Sequence, residues 1–204
     1  MDSFLIVSAW RSGSTLTSVM LNHYLRYKYK EEEKTSVYTK NDIITSFVPN
    51  TVFHSHNFQN IKIAPDYITI IRNKRDIVDC AISSLVAKKI DVFTHFENVK
   101  VELENNSIEL DLKDFEKEVH ALRYYNQEAD YIFSKIKHSV IEYNDIQDNP
   151  NNIYKILDID FQINDFQDKK FSDIPTKTNL DYKTAIKNYS ELIKFAVNRK
   201  WRRG

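Results

Sequence analysis

Hydrophobic and polar positions along the chain follow two alternating patterns, which predict strands followed by helices. Residues 3–8 are apolar and β-branched and predict a short buried strand, whereas apolar positions at helical spacing after Thr15 predict a helix. The same order recurs, with strands predicted at 51–56, 67–71 and 138–142 and helices at 76–89, 112–137, 150–157 and 182–198. Strands that alternate with helices indicate an α/β fold. We expect a three-layer α/β/α architecture with a mostly parallel central sheet, in a single domain that spans residues 1–204.

Composition and charge exclude several classes of protein. The 204 residues are 42% hydrophobic, which is enough to form a core, and 29 basic residues balance 29 acidic ones. A formal net charge of zero gives no overall field that attracts nucleic acid or a membrane surface. Cys80 is the only cysteine, and no apolar run is long enough for a signal peptide or a membrane span. We expect a soluble, cytoplasmic protein with no nucleic acid or membrane partner.

The first polar turn has the features of an anion-binding loop. Residues 8–15 read SAWRSGST between a predicted strand and a predicted helix, where free N–H groups and the helix dipole bind phosphate. Gly13 is the only internal glycine, which favours close approach of the backbone to a ligand over an ordinary turn. Compared with the P-loop pattern G-x-x-x-x-G-K-[ST], Ser8 and Ser14 replace the first glycine and the lysine, and Arg11 supplies the positive charge. The alternative is a helix start rich in serine and threonine with one chance arginine.

A second basic motif follows the strand predicted at 67–71. Arg72 comes directly after this strand, at the sheet edge where open α/β folds bind ligands, and the next predicted helix carries Ser83. Arg75 offers a second register, because it precedes Ser83 by eight residues, whereas the same spacing from Arg72 falls on Cys80. The alternative without function is a surface ion pair between Arg75 and Asp79.

Two histidines mark a candidate site for proton transfer. His54 and His56 lie two residues apart in a predicted strand, so they project from the same face. No nearby cysteine or third ligand completes a zinc site, which argues against metal. An imidazole with a pKa near 6.5 suits a general base that deprotonates a hydroxyl group.

Four segments together resemble, in the expected order, the motifs of PAPS-dependent sulfotransferases. They are residues 11–15 (RSGST), 54–56 (HSH), 72–76 (RNKRD) and 140–157 (VIEYNDIQDNPNNIYKIL). The similarity spans roughly residues 3–160 and is to short members of the bacterial or viral type. It implies the P-loop NTPase-like fold of the sulfotransferases.

The resemblance also implies roles for individual residues. His56 falls on the family's catalytic histidine, and Arg11 would both hold the 5′-phosphosulfate and stabilise the bridging oxygen that leaves with the nucleotide. Arg72 and Ser83 bind the 3′-phosphate, with Arg75, Cys80 and Ser84 left open as alternatives, and Tyr143 borders the adenine. The 5′-phosphosulfate is held by Arg11, Ser12, Gly13, Ser14 and Thr15. Several positions depart from the family pattern: Leu16 replaces a tryptophan, His54 a lysine and Lys74 a proline, and Cys80 lies at the usual serine spacing from Arg72.

The function implied is transfer of a sulfonyl group from PAPS to a hydroxyl or amine. The acceptor would be a small molecule or a glycan, adenosine 3′,5′-bisphosphate would be the product, and no metal would be needed. Two alternatives remain open at this point. A P-loop nucleotide or small-molecule kinase shares the loop but should need a lysine and a metal-binding carboxylate. A catalytically inactive nucleotide-binding protein would share the pocket without turnover.

Overall fold

A computed structural model describes residues 2–30, 37–39, 41–91, 107–164, 174 and 181–202. The strands within these ranges are β1 (Ser3–Val7), β2 (Val37–Thr39), β3 (Val52–Ser55), β4 (Ile68–Lys74) and β5 (Ser139–Glu142). The helices are α1 (Ser14–Tyr29), α2 (Gln59–Ile63), α3 (Ile77–Ile90), α4 (Leu112–Phe133), α5 (Tyr143–Ile146), α6 (Asn152–Ile156), α7 (Tyr182–Ala185) and α8 (Tyr189–Asn198). None of these helices is long and apolar enough to cross a membrane.

The five strands form one sheet in the order β2-β3-β1-β4-β5, and every neighbouring pair is parallel. Strand β1 is central, with Leu5 opposite Phe53 of β3 on one side and Ile70 of β4 on the other. Because all strands run the same way, their carboxyl ends lie at one edge of the sheet. The prediction of an α/β fold with a mostly parallel sheet is therefore confirmed.

Helices cover both faces of the sheet. Phe4 and Ile6 of β1 pack in one buried cluster with Met20 of α1. Leu5 and Val7 point to the opposite face, where they pack in a second cluster with Phe133 of α4. This alternation follows from the two-residue repeat of a strand, and it creates the three layers that the sequence predicts.

The structure differs from the predicted elements at three places that bear on function. Strand β4 continues to Lys74 instead of ending at residue 71, so Arg72 lies inside the strand. The single helix predicted at 182–198 is divided into α7 and α8, because Ile186 adopts an extended conformation and forms a parallel bridge with Ile108. The hydrophobic pattern also did not predict β2, α2 and α5, because these elements are too short to show a periodic pattern.

Candidate functional site

Four chain segments meet at the carboxyl edge of the sheet. The loop 8–13 follows β1, while His56 follows β3, Arg75 follows β4 and Tyr143 follows β5. Parallel strands place these segments side by side, at the edge where α/β sheets bind ligands. The sequence-predicted residues of the loop, His56 and Tyr143 are thus brought to one region.

The loop takes a backbone shape that depends on glycine. Arg11 and Gly13 both have positive φ angles, of 64° and 90°. Ser12 Oγ closes the turn by donating a hydrogen bond to the Ala9 carbonyl at 2.7 Å. A Cβ atom on Gly13 would lie 2.6 Å from Cδ2 of Tyr143. The left-handed backbone and the Tyr143 ring both require a residue without a side chain at position 13.

The start of α1 has the properties of an anion-binding helix terminus. The helix begins at Ser14, directly after the loop, with no side-chain cap and no acidic residue in its first turn. Its first N–H groups have no partners within the helix, and they lie at the positive end of the dipole. Ser14 is buried and Thr15 is exposed, whereas Leu16 packs into the core beneath the helix. Leu16 thus contributes to the packing of the core.

Arg11 is held by two residues of α3 and by Arg75, which lies between β4 and α3. Its Nε donates a hydrogen bond to Ser83 Oγ at 3.0 Å. Its carbonyl oxygen accepts hydrogen bonds from Nη1 of Arg75 at 3.2 Å and from Sγ of Cys80 at 3.5 Å. Burial lowers the pKa of Arg11, and the nearby positive charge of Arg75 lowers it further. Two guanidinium groups therefore share one loop, which makes the site locally positive although the chain is neutral overall.

Tyr143 connects this positive site to β5. The guanidinium carbon of Arg75 lies 4.3 Å from the centre of the Tyr143 ring, within the range of a cation–π interaction. The same ring contacts the Cα side of Gly13. Tyr143 therefore packs between the loop that follows β1 and Arg75, which follows β4.

Arg72 does not pair with Ser83 as the sequence analysis expected. Its Nη1 donates to Oδ1 of Asp130 on α4 at 2.7 Å, and its guanidinium lies 5.2 Å from the Phe133 ring centre. Only 4% of Arg72 is exposed. The reason is strand alternation: Ile71 faces α1, so Arg72 faces α4. Arg75, from the second register, is the basic residue of this motif that contacts the loop.

Two residues that the sequence analysis missed fix the loop from either side. The backbone N–H of Asn73 donates to Ser8 Oγ, and its Nδ2 donates to Oγ1 of Thr17, both at 2.7 Å. Trp10 Nε1 donates to Oε1 of Glu118 on α4 at 2.6 Å. Strand alternation could have predicted the Asn73 contacts, because Asn73 lies on the strand face opposite Arg72. Nothing in the sequence links Trp10 to Glu118, which lies 108 residues away.

The contacts of His56 fix its tautomer. Its Nδ1 lies 2.6 Å from the carbonyl oxygen of Ser8, and its Nε2 lies 3.4 Å from the hydroxyl of Tyr38. A carbonyl can only accept, so Nδ1 carries the hydrogen, and Nε2 then carries the lone pair. The backbone of the loop 8–13 thus sets the tautomer of this histidine and the direction of its Nε2.

His54 is buried beside His56 and stays uncharged. Its ring centre lies 5.5 Å from that of His56 and 4.9 Å from that of Tyr38, and its Nε2 has no hydrogen-bond partner in the described structure. Burial, helped by the neighbouring His56, lowers the pKa of His54 to about 3. At neutral pH this residue therefore supplies no positive charge to the site. Within the described ranges, no three His, Cys, Asp or Glu side chains converge on a metal site.

Comparison with known proteins finds similarity to solved structures but not to families or curated proteins. The chain matches no family model, and no curated protein is similar to it. Among solved structures, it is similar to the sulfotransferase domain from the curacin biosynthetic pathway, with 13% sequence identity and a TM-score of 0.44. The alignment covers 98% of this chain and 97% of that one. A similarity of this size does not assign the chain to a family, so its function has to be inferred from the site.

Proposed function

We propose that the protein is a PAPS-dependent sulfotransferase that transfers a sulfonyl group to a hydroxyl or amine. The observation that carries the proposal is the contact between His56 Nδ1 and the Ser8 carbonyl. This contact supports the proposal because it joins the His56 imidazole to the backbone of the loop 8–13, which leads into the N-terminus of α1 and carries Arg11. Anion binding by the loop and proton removal by His56 would then take place side by side.

The residues present suit the donor nucleotide. The N–H groups at the start of α1 and the guanidinium of Arg11 would hold the 5′-phosphosulfate. Arg75 lies beside the loop, and Tyr143 presents an aromatic ring at the same edge, so these two residues would contact the remainder of the nucleotide. Arg72 is not assigned this role in the proposal, because Asp130 neutralises its charge. The loop lacks the P-loop lysine, which argues against Mg-ATP as the ligand.

The reaction proceeds as a direct in-line transfer. His56 Nε2 accepts the proton of the acceptor's hydroxyl or amine, whose oxygen or nitrogen forms a bond to sulfur. The bond between sulfur and the bridging phosphate oxygen breaks, and adenosine 3′,5′-bisphosphate leaves with the electron pair. Negative charge grows on the leaving oxygen, where Arg11 stabilises it. His56 then releases its proton to water.

A substitution that keeps the hydrogen bond to Ser8 tests the role of His56. Asparagine places an amide N–H near the position of the histidine Nδ1–H but has no basic nitrogen, so His56→Asn should fold normally and lose about 10²–10⁴-fold in transfer rate. The rate is measured as release of adenosine 3′,5′-bisphosphate from PAPS in the presence of phenols, alcohols, amines or oligosaccharides. His120→Asn, at an exposed histidine of α4, is the control and should transfer at the wild-type rate.

Three outcomes would contradict the proposal. Transfer at the wild-type rate by His56→Asn would exclude this histidine as the base. Phosphorylation of the same acceptors from Mg-ATP, without use of PAPS, would identify a kinase. Tight binding of PAPS with no transfer to any acceptor class would favour an inactive nucleotide-binding protein.

A further inference from the structure

We infer that Ser83 and Tyr182 hold the Arg11 guanidinium in position, and that Ser83 is a positioning residue of the loop instead of a ligand of the 3′-phosphate. The inference rests on the proposed function for the identity of the nucleotide. It assigns a role to Tyr182, in the C-terminal part of the chain, where no sequence motif indicates one.

The contacts of Ser83 account for its buried hydroxyl. Only 2% of Ser83 is exposed. Its Oγ accepts a hydrogen bond from Arg11 Nε at 3.0 Å and a second from the Tyr182 hydroxyl at 3.3 Å. A hydroxyl group has two acceptor lone pairs and one hydrogen to donate, so these two donors occupy both lone pairs, and the low exposure of Ser83 separates its remaining hydrogen from a ligand at the surface. The orientation of the hydroxyl is therefore set by protein groups.

The same face of α3 holds the backbone of Arg11. Cys80 and Ser83 are three residues apart, so they lie on one side of the helix. Cys80 contacts the Arg11 carbonyl, whereas Ser83 contacts the Arg11 side chain. A non-glycine residue at a φ of 64° is strained and persists only when its surroundings fix it. Because guanidinium is planar, fixing Nε also sets the direction of the two terminal nitrogens.

Tyr182 reaches Ser83 because the C-terminal segment is anchored nearby. Asp181 caps α7 by accepting a hydrogen bond from the N–H of Lys183 at 3.0 Å. Ile186, which is buried, ends this short helix and forms the parallel bridge with Ile108. These contacts place Tyr182 against α3 although 99 residues separate it from Ser83. The arrangement links the C-terminal segment to the charge at the centre of the site.

Two nucleotides distinguish the two roles of Ser83. Binding of adenosine 3′,5′-bisphosphate and of adenosine 5′-phosphate is measured by calorimetry for the wild type, Ser83→Ala and Tyr182→Phe. A positioning role weakens both affinities by the same factor in Ser83→Ala, about tenfold for a hydrogen bond to a charged group, with a smaller equal loss in Tyr182→Phe. A 3′-phosphate ligand would weaken only the bisphosphate. Tyr189→Phe, a second half-buried tyrosine of the same segment, is the control and should change neither affinity.

A second readout does not depend on any nucleotide. The Nε–H resonance of Arg11 in nitrogen-labelled protein, assigned by its loss in Arg11→Lys, should exchange slowly with water in the wild type. It should exchange much faster in Ser83→Ala. Unchanged exchange in Ser83→Ala, or an affinity loss confined to the bisphosphate, would overturn the inference. If neither nucleotide binds the wild type, the proposed function fails, and the exchange measurement alone decides the role of Ser83.

Discussion

Substituting Gly13 with alanine perturbs the loop through two separate effects whose sizes follow from the structure. The backbone has a φ of 90°, and an L-residue in a left-handed conformation costs about 1–2 kcal/mol. The new Cβ would also lie 2.6 Å from Cδ2 of Tyr143, so the ring must move, and such overpacking costs about 1–3 kcal/mol. We expect Gly13→Ala to lower the free energy of unfolding by about 2–5 kcal/mol.

A double-mutant cycle separates the two effects. Tyr143→Ala removes the ring, so Gly13→Ala in that background should cost only the backbone part, about 1–2 kcal/mol. The difference between the two backgrounds measures the contact between loop and ring. Tyr131→Ala is the matched control, because Tyr131 also lies beside a cation, Lys135, but is exposed on α4 and is not among the side chains nearest Gly13. In that background the cost of Gly13→Ala should be unchanged.

The assay is equilibrium unfolding in urea, followed by circular dichroism, for all variants under the same conditions. Since small domains have total stabilities of about 5–15 kcal/mol, the losses should be measurable while a folded state remains populated. Equal costs of Gly13→Ala with and without the Tyr143 ring would refute the packing argument. A Gly13→Ala variant as stable as the wild type would refute both parts.

Two further predictions concern buried charged or titratable groups. The pKa of His54 is about 3 in the folded protein and about 6.5 in the unfolded chain. As the pH falls below 6.5, the unfolded chain binds a proton that the folded protein does not. The free energy of unfolding should therefore decrease between pH 6.5 and pH 3, by up to about 1.4 kcal/mol per pH unit. His54→Gln should remove this part of the pH dependence of stability, whereas His120→Gln, at an exposed histidine, should not. Identical slopes of stability against pH in the two variants would contradict this prediction. Asp130→Asn should lower the free energy of unfolding by about 1–3 kcal/mol, because the buried Arg72 loses its charged partner. Asp114→Asn, in an exposed pair on the same helix, should cost less than about 1 kcal/mol, and equal losses would argue against a special role for Asp130.

The order of strands and helices could be predicted because it depends on local patterns. The strand at 3–8 and the helix after it follow from apolar spacing, and their junction identified the loop with Arg11 and Gly13. The positions of His56 and Tyr143 at the same edge of the sheet follow from the parallel direction of β3 and β5. These features need no knowledge of how distant parts of the chain contact each other.

The errors come from boundaries and from long-range contacts. Arg72 was expected at the sheet edge, because β4 was predicted to end at residue 71. The strand in fact continues for three more residues, so Arg72 is a strand residue whose side chain packs against α4. Strand boundaries are set by pairing with neighbours, which the pattern of one segment does not contain. Likewise, the contact of Tyr182 with Ser83 depends on a bridge between segments far apart in sequence. Trp10 and Glu118 are a third example.

Binding of adenosine 3′,5′-bisphosphate in the absence of metal is the most direct test of the central claim. Calorimetric titration of the wild type is compared with Arg11→Ala and with ATP plus Mg²⁺ as the paired ligand. The account predicts that the bisphosphate binds without metal, that Arg11→Ala loses most of this affinity, and that Mg-ATP binds weakly or not at all. Binding of Mg-ATP alone, or bisphosphate binding unaffected by Arg11→Ala, would contradict it.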